Sequence, residues 1–103
     1  MFAPLDYFVD KSEEIKLFSN PKIAQRNAKK YDLDLVFSPR KNKKYRIYNP
    51  LTNKFVDFGS MLYKDYTATQ DLVKLEAFKK RNAKWYNSMK YSPAWLSAWI
   101  LWN

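Results

Sequence analysis

The spacing of apolar positions along this chain changes from one region to the next, and each change marks an element. Near the start, Ser12, Glu13 and Glu14 read as the beginning of a short helix, because a hydroxyl caps free N–H groups and early acids suit the helix dipole; Ile15, Leu17 and Phe18 supply its apolar side. Asn20 and Pro21 repeat the start signal, a capping residue followed by proline at the first helical position. Ile23, Ala24, Ala28 and Tyr31 can then share one stripe as far as about Lys30, while Lys22, Arg26, Lys29 and Lys30 project elsewhere.

The helical spacing then gives way to strand patterns. Leu33 to Phe37 is a β-rich run ended by Ser38 and Pro39, and its weak alternation allows burial on both sides. Tyr45 to Asn49 and Lys54 to Phe58 flank Pro50, Leu51, Thr52 and Asn53, the pattern of a hairpin with Tyr45 and Ile47 on one face. Gly59 closes it, as the residue able to take a left-handed conformation at no steric cost.

Helical spacing returns in the last third. Thr67 and Gln70 have capping-box spacing, and Leu72, Leu75, Phe78, Asn82, Trp85 and Met89 recur at three- and four-residue steps, predicting one helix from about Thr69 to Ser88. Ser92 and Pro93 restart a short helix or turn that is apolar nearly all round. These elements predict an α+β fold: a small antiparallel, hairpin-based sheet at about residues 33–58 with flanking helices and an aromatic-rich core. Residues 20–103 form a single small domain in this reading, and residues 1–19 an N-terminal extension carrying the short helix.

Composition narrows the chemistry. The chain has no Cys and no His, which removes thiolate nucleophiles, Ser-His and Cys-His pairs, an imidazole base, and zinc sites built on nitrogen and sulfur. A single Gly excludes a glycine-rich phosphate cradle. Of the carboxylates, Asp32 with Asp34 and Glu13 with Glu14 lie close in sequence, a spacing that fits solvated ends of a strand or turn better than a Mg²⁺ site. The expectation is a protein that is not an enzyme, with no cofactor, no metal and no small-molecule substrate. The start lacks a positive region followed by a long apolar run, so no secretory signal is expected, and no segment reaches the roughly 20 apolar residues needed to span a bilayer.

The net charge of +9 is unevenly placed: residues 1–20 carry −2, residues 21–46 carry +7 and residues 47–103 carry +4. Arg40, Lys41, Lys43, Lys44 and Arg46 put five cations in seven residues, a natural contact for a polyanion or an acidic protein surface, with Tyr45 and Tyr48 as possible stacking partners. Aromatic residues make up 18% of the chain, which suits both a small core and a partner surface. Trp95, Trp99 and Trp102 follow four- and three-residue spacing and put three indoles on one side of a helix, as domain core or as a shared contact. The same two readings apply to Phe2 and Phe8 in the N-terminal extension.

Five blocks in order carry a resemblance: Asn20 to Gln25, Ser38 to Tyr45, Asn49 to Lys54 with Phe58 and Gly59, Tyr63 to Thr67, and Ser92 to Ser97 with Leu101 and Trp102. Over about residues 20–102 the chain resembles a family of small basic proteins encoded by giant and other nucleocytoplasmic large DNA viruses, a family without an assigned activity. The pattern departs at the hairpin, where the family has Thr-Gly-Lys and this chain Thr52-Asn53-Lys54; Asn also tolerates positive φ, so the turn survives. It departs again at Thr69-Gln70-Asp71 and the following Leu72 and Val73, where the family has His-Lys-Asp and paired arginines; that loss weakens a catalytic or nucleic-acid role there.

The resemblance implies a virion location, with passage through the host cytoplasm during assembly. It points to a structural component, a minor capsid or cement-type protein whose partners are major and minor capsid proteins. Trp95, Trp99, Trp102, Phe2 and Phe8 are then the candidate apolar anchors, and Arg40, Lys41, Lys43, Lys44 and Arg46 the candidate electrostatic contacts. The alternative is a sequence-nonspecific nucleic-acid-binding protein packaged with the genome, and contact with a membrane surface through the tryptophan-rich terminus ranks below protein contact.

Overall fold

The helical residues 11–15 open the part of the chain that the computed structural model describes, residues 11–103; Phe2 and Phe8 lie outside it. Ser12 sits within this first helical turn rather than ahead of it, and Ile15 is fully buried. Helix α1, Pro21–Lys29, begins where the capping signal placed it: Asn20 Oδ1 accepts from the backbone N–H groups of Lys22 at 3.1 Å and Ile23 at 3.4 Å. Its inner face buries Ala24, Asn27 and Ala28, and Lys22, Arg26, Lys29 and Lys30 are exposed. Asn27 Nδ2 donates to the Ile100 carbonyl at 2.8 Å and so ties this helix to the C-terminal segment.

Three antiparallel strands follow in spatial order β1-β2-β3: β1 Val36–Phe37, β2 Lys43–Asn49 and β3 Lys54–Ser60. Strand β1 is shorter than the expected Leu33–Phe37 because the chain is still leaving the helix at its start. Asp32 takes a left-handed φ of 57°, and the Leu33 N–H is used by the Ala28 carbonyl, so Leu33 packs inward without joining the ladder. The hairpin is in the expected place. Asn53 adopts φ 58° and donates its N–H to the Asn49 carbonyl, while Asn49 Oδ1 accepts from Leu51 N–H.

The register pairs Tyr45 with Phe58 and Ile47 with Val56, and Tyr45, Ile47 and Phe58 are essentially inaccessible. The opposite face carries Val36 beside Arg46 beside Asp57, and Tyr48 opposite Phe55. Gly59 lies inside β3 with φ 82°, and a Cβ there would stand 2.9 Å from Leu101 Cδ1 and 3.1 Å from Lys44 Cβ. Both the backbone angle and the close approach require glycine.

The single helix expected over Thr69–Ser88 is instead three pieces: α2 Tyr66–Thr69, α3 Leu72–Arg81, and a 3₁₀ segment Ala83–Asn87. The break lies at Gln70, which takes φ 51°, and Asp71 then restarts the helix by accepting from Val73 and Lys74 N–H. The real cap of α2 is Asp65, which accepts from Thr67 N–H. Leu75 and Phe78 are buried, but Leu72 and Met89 are 64% and 83% exposed, so the apolar stripe is half as long as its spacing implied.

Tyr91, held at φ 71°, leads into Ser92, whose hydroxyl caps α4 Pro93–Leu96 by accepting from Trp95 N–H. A π-helical segment, Ser97–Leu101, continues it. Leu96, Ala98, Ile100 and Leu101 are 0–1% exposed, which makes the C-terminal segment the centre of the core, packed on α1 and against the sheet. The fold is α+β, with aromatic clusters in its interior.

Candidate functional site

The five clustered cations do not form one surface. Arg40 and Lys41 are exposed in the loop between β1 and β2, and the Arg40 carbonyl accepts from Lys11 Nζ at 2.6 Å. Arg46 holds Asp57 through two hydrogen bonds, 2.8 Å from Nε and 3.1 Å from Nη2, and lies 4.8 Å from the centre of the Phe55 ring. Burial works against ionisation of Asp57, but the hydrogen bonds from Arg46 and Ser38, with the charges of Arg46 and Arg40, outweigh it and hold the carboxyl below its usual range. Lys44 is the correction. It is 2% exposed, so it offers nothing to a polyanion or an acidic surface.

Lys44 Nζ donates to Asp65 Oδ2 at 3.0 Å and to the Tyr63 carbonyl at 2.8 Å. Burial draws its pKa below the ordinary lysine value, against the attraction of Asp65. The other oxygen of Asp65 accepts from the Thr67 hydroxyl and N–H, and Ser19 Oγ bridges Thr67 Oγ1 at 3.0 Å to the Tyr45 hydroxyl at 2.7 Å. Burial above all pushes the Tyr45 hydroxyl up, so it stays protonated. Every side chain of this network, from Lys44 to Tyr45, is at most 2% exposed. The network therefore joins the link before α1, the hairpin and α2 through buried side chains.

All three candidate tryptophans pack against rings of their own chain. Trp95 meets Tyr31 edge-on at 5.1 Å and Tyr91 at 5.8 Å. Trp99 meets Tyr86 at 5.3 Å and donates Nε1–H to the Tyr86 carbonyl at 3.0 Å, and Trp102 stacks flat on Phe78 at 4.2 Å. Tyr86 returns its hydroxyl to the Trp102 carbonyl, and burial, with the Glu76 charge second, pushes that hydroxyl up to about 12. These rings are mainly structural mortar for the C-terminal segment.

A cleft of about 560 Å³ opens between the hairpin end, α3 and the C-terminal segment. Its cations are Lys43 from β2, Lys64 from the loop after β3, and Arg81 from the end of α3; the buried Lys44–Asp65 pair also reaches its lining. Phe78, Trp85 and Trp102 line it with Leu101 and Pro93. Sequence reasoning singled out Lys43 but not Lys64, Arg81 or Trp85, and nothing in their spacing, 17 residues from 64 to 81, announces that they meet.

Residues 33–82, which supply the hairpin, the Lys44–Asp65 pair and two walls of the cleft, match the model of a family described as a family of unknown function (DUF5754). Neither the curated proteins nor the solved structures contain a match to this chain. Among the described residues, no group of three or more acidic side chains is placed to hold a metal ion, and no helix is long and apolar enough to cross a membrane.

Proposed function

We propose that this protein is a non-enzymatic structural component of a large DNA virus particle, a minor capsid or cement-type protein that joins larger coat proteins. The observation that carries the reading is the outer face of the hairpin. Val36, Tyr48 and Phe55 are 52%, 48% and 60% exposed there, around the Arg46–Asp57 pair and next to exposed Arg40 and Lys41. Rings and an arginine held rigid on a sheet, bordered by cations, form the kind of surface that binds another protein at low entropic cost. The viral setting rests on the resemblance of the five sequence blocks, and the apolar anchor moves from the tryptophan terminus to this face.

Fractionating purified particles with graded salt and detergent, followed by mass spectrometry, tests the proposal. Release together with coat proteins, insensitive to nuclease, is the expected result; retention with the genome until nuclease treatment overturns it. The second reading, nonspecific nucleic-acid binding, draws on exposed Arg40 and Lys41 with half-buried Lys43. With three cations available instead of five, log affinity would fall with log salt at a slope of about −2 to −3.

A further inference from the structure

The cleft beneath α3 has a chemistry that the assembly reading does not use. Its lining holds four cations, Lys43, Lys44, Lys64 and Arg81, against one acid, Asp65. Asp65 is already committed to Lys44, with both side chains buried. Lys43, Lys64 and Arg81 make no ion pair among the described residues, whose ion pairs are Lys16–Glu13, Lys29–Asp34, Lys44–Asp65 and Arg46–Asp57. Three separate elements therefore bring uncompensated positive charge to one hollow, where an anion relieves their mutual repulsion.

The remaining lining is aromatic. Phe78 and Trp102 are stacked on each other with an interplanar angle of 1°. Trp85 meets Phe78 by edge contact at 85° and is 37% exposed, so its own ring surface is not consumed by that pair. Asn82, also in the lining, spends Nδ2 on the Phe78 carbonyl at 3.3 Å and keeps Oδ1 as an acceptor. The volume of about 560 Å³ falls within the roughly 300–1,000 Å³ usual for small-molecule sites. Inorganic phosphate alone would leave the aromatic wall wet, and a neutral ring would leave three cations unpaired.

We propose that this cleft binds a phosphorylated planar ring, a ligand of the mononucleotide class, with the ring against Trp85 and the phosphate held by Lys43, Lys64 and Arg81. The proposal does not depend on the viral assembly reading, and it replaces the sequence-based expectation of no small-molecule partner with a binding site rather than a reaction.

The test is calorimetric titration of the full chain at low salt with adenosine monophosphate, and separately with adenosine, inorganic phosphate and a short oligothymidine. Saturable one-to-one binding of the monophosphate, at least about tenfold tighter than either adenosine or phosphate, is expected. Lys64→Gln and Arg81→Gln each weaken it about tenfold, and Trp85→Ala by about five- to a hundredfold, in line with base–aromatic stacking. Lys64 and Arg81 are exposed, so their variants stay folded, as circular dichroism would verify, even if Trp85→Ala does not. Absence of saturable monophosphate binding, phosphate binding as tight as the monophosphate, binding of the oligonucleotide alone, or affinity unchanged in both cation variants each overturns the proposal.

Discussion

The C-terminal segment and the outer face of the hairpin are both rich in rings, and their rings have opposite fates. Trp95, Trp99 and Trp102 are each engaged by a Tyr or Phe of the same chain, and the residues between them fill the centre of the core. Tyr48 and Phe55 contact each other edge-on at 5.4 Å, with Arg46 against Phe55 and the Tyr48 hydroxyl donating to Asn53 Oδ1, yet both rings remain about half exposed. Hydrophobic content is therefore a poor guide to which surface is free; what decides is whether the topology brings another element across it. The same contrast separates adjacent lysines, since Lys43 reaches the rim of a cleft while Lys44 is buried on Asp65.

The buried lysine offers the harshest test. Asp65→Ala leaves an unpaired ammonium in the interior and is expected to cost about 3–5 kcal/mol in urea denaturation; Lys41→Ala, at an exposed position, should change stability by less than about 0.5 kcal/mol. A similar loss in both variants would erase the distinction between the lysines. Next, Leu96→Ala at the centre of the core should cost about 2–5 kcal/mol, whereas Phe55→Ala on the outer face should cost no more than about 1 kcal/mol. If the Phe55 variant proved the more damaging, the outer face would have to be covered in the folded protein.

Gly59→Ala probes the joint between the two regions. A methyl group at φ 82° facing Leu101 and Lys44 should lower stability by about 1–3 kcal/mol, seen as a fall in the urea midpoint without a change in slope.

The smallest effect is alkaline. Because the folded protein raises the Tyr86 hydroxyl to about 12, against an ordinary value near 10, this group favours the folded state fully below about pH 10, and that contribution is lost as pH rises toward 12. A spectrophotometric titration should show one late-ionising tyrosine fewer in Tyr86→Phe. An unchanged titration would detach Tyr86 from the packed C-terminal segment.

The hairpin, the Asn20–Pro21 helix start and the Ser92–Pro93 restart were legible because each rests on bonds within a few residues: a turn closed at Asn53, a side-chain oxygen over free N–H groups, a proline with fixed φ. The long helix expected over Thr69–Ser88 breaks where two local signals compete. Capping-box spacing at Thr67 and Gln70 fitted a start, but Asp65 and Asp71 cap two separate helices, and a left-handed Gln70 between them cannot be read from a three-residue spacing. The candidate site was the least legible part, since Lys43, Lys64, Arg81 and Trp85 meet only after the chain has folded.

By itself the sequence determined the α+β class, the hairpin and its turn, the excess of positive charge, and the absence of thiol and imidazole chemistry, because these follow from composition and from sterics over a few residues. The tertiary structure alone decided that Lys44 is interior, that Arg46 is neutralised by Asp57, that Trp95, Trp99 and Trp102 pack on rings of their own chain, and that three cations line a cleft beside an aromatic wall. Burial and charge pairing depend on residues tens of positions apart, such as Lys44 with Asp65 or Asn27 with Ile100, and those distances close only when the whole core forms.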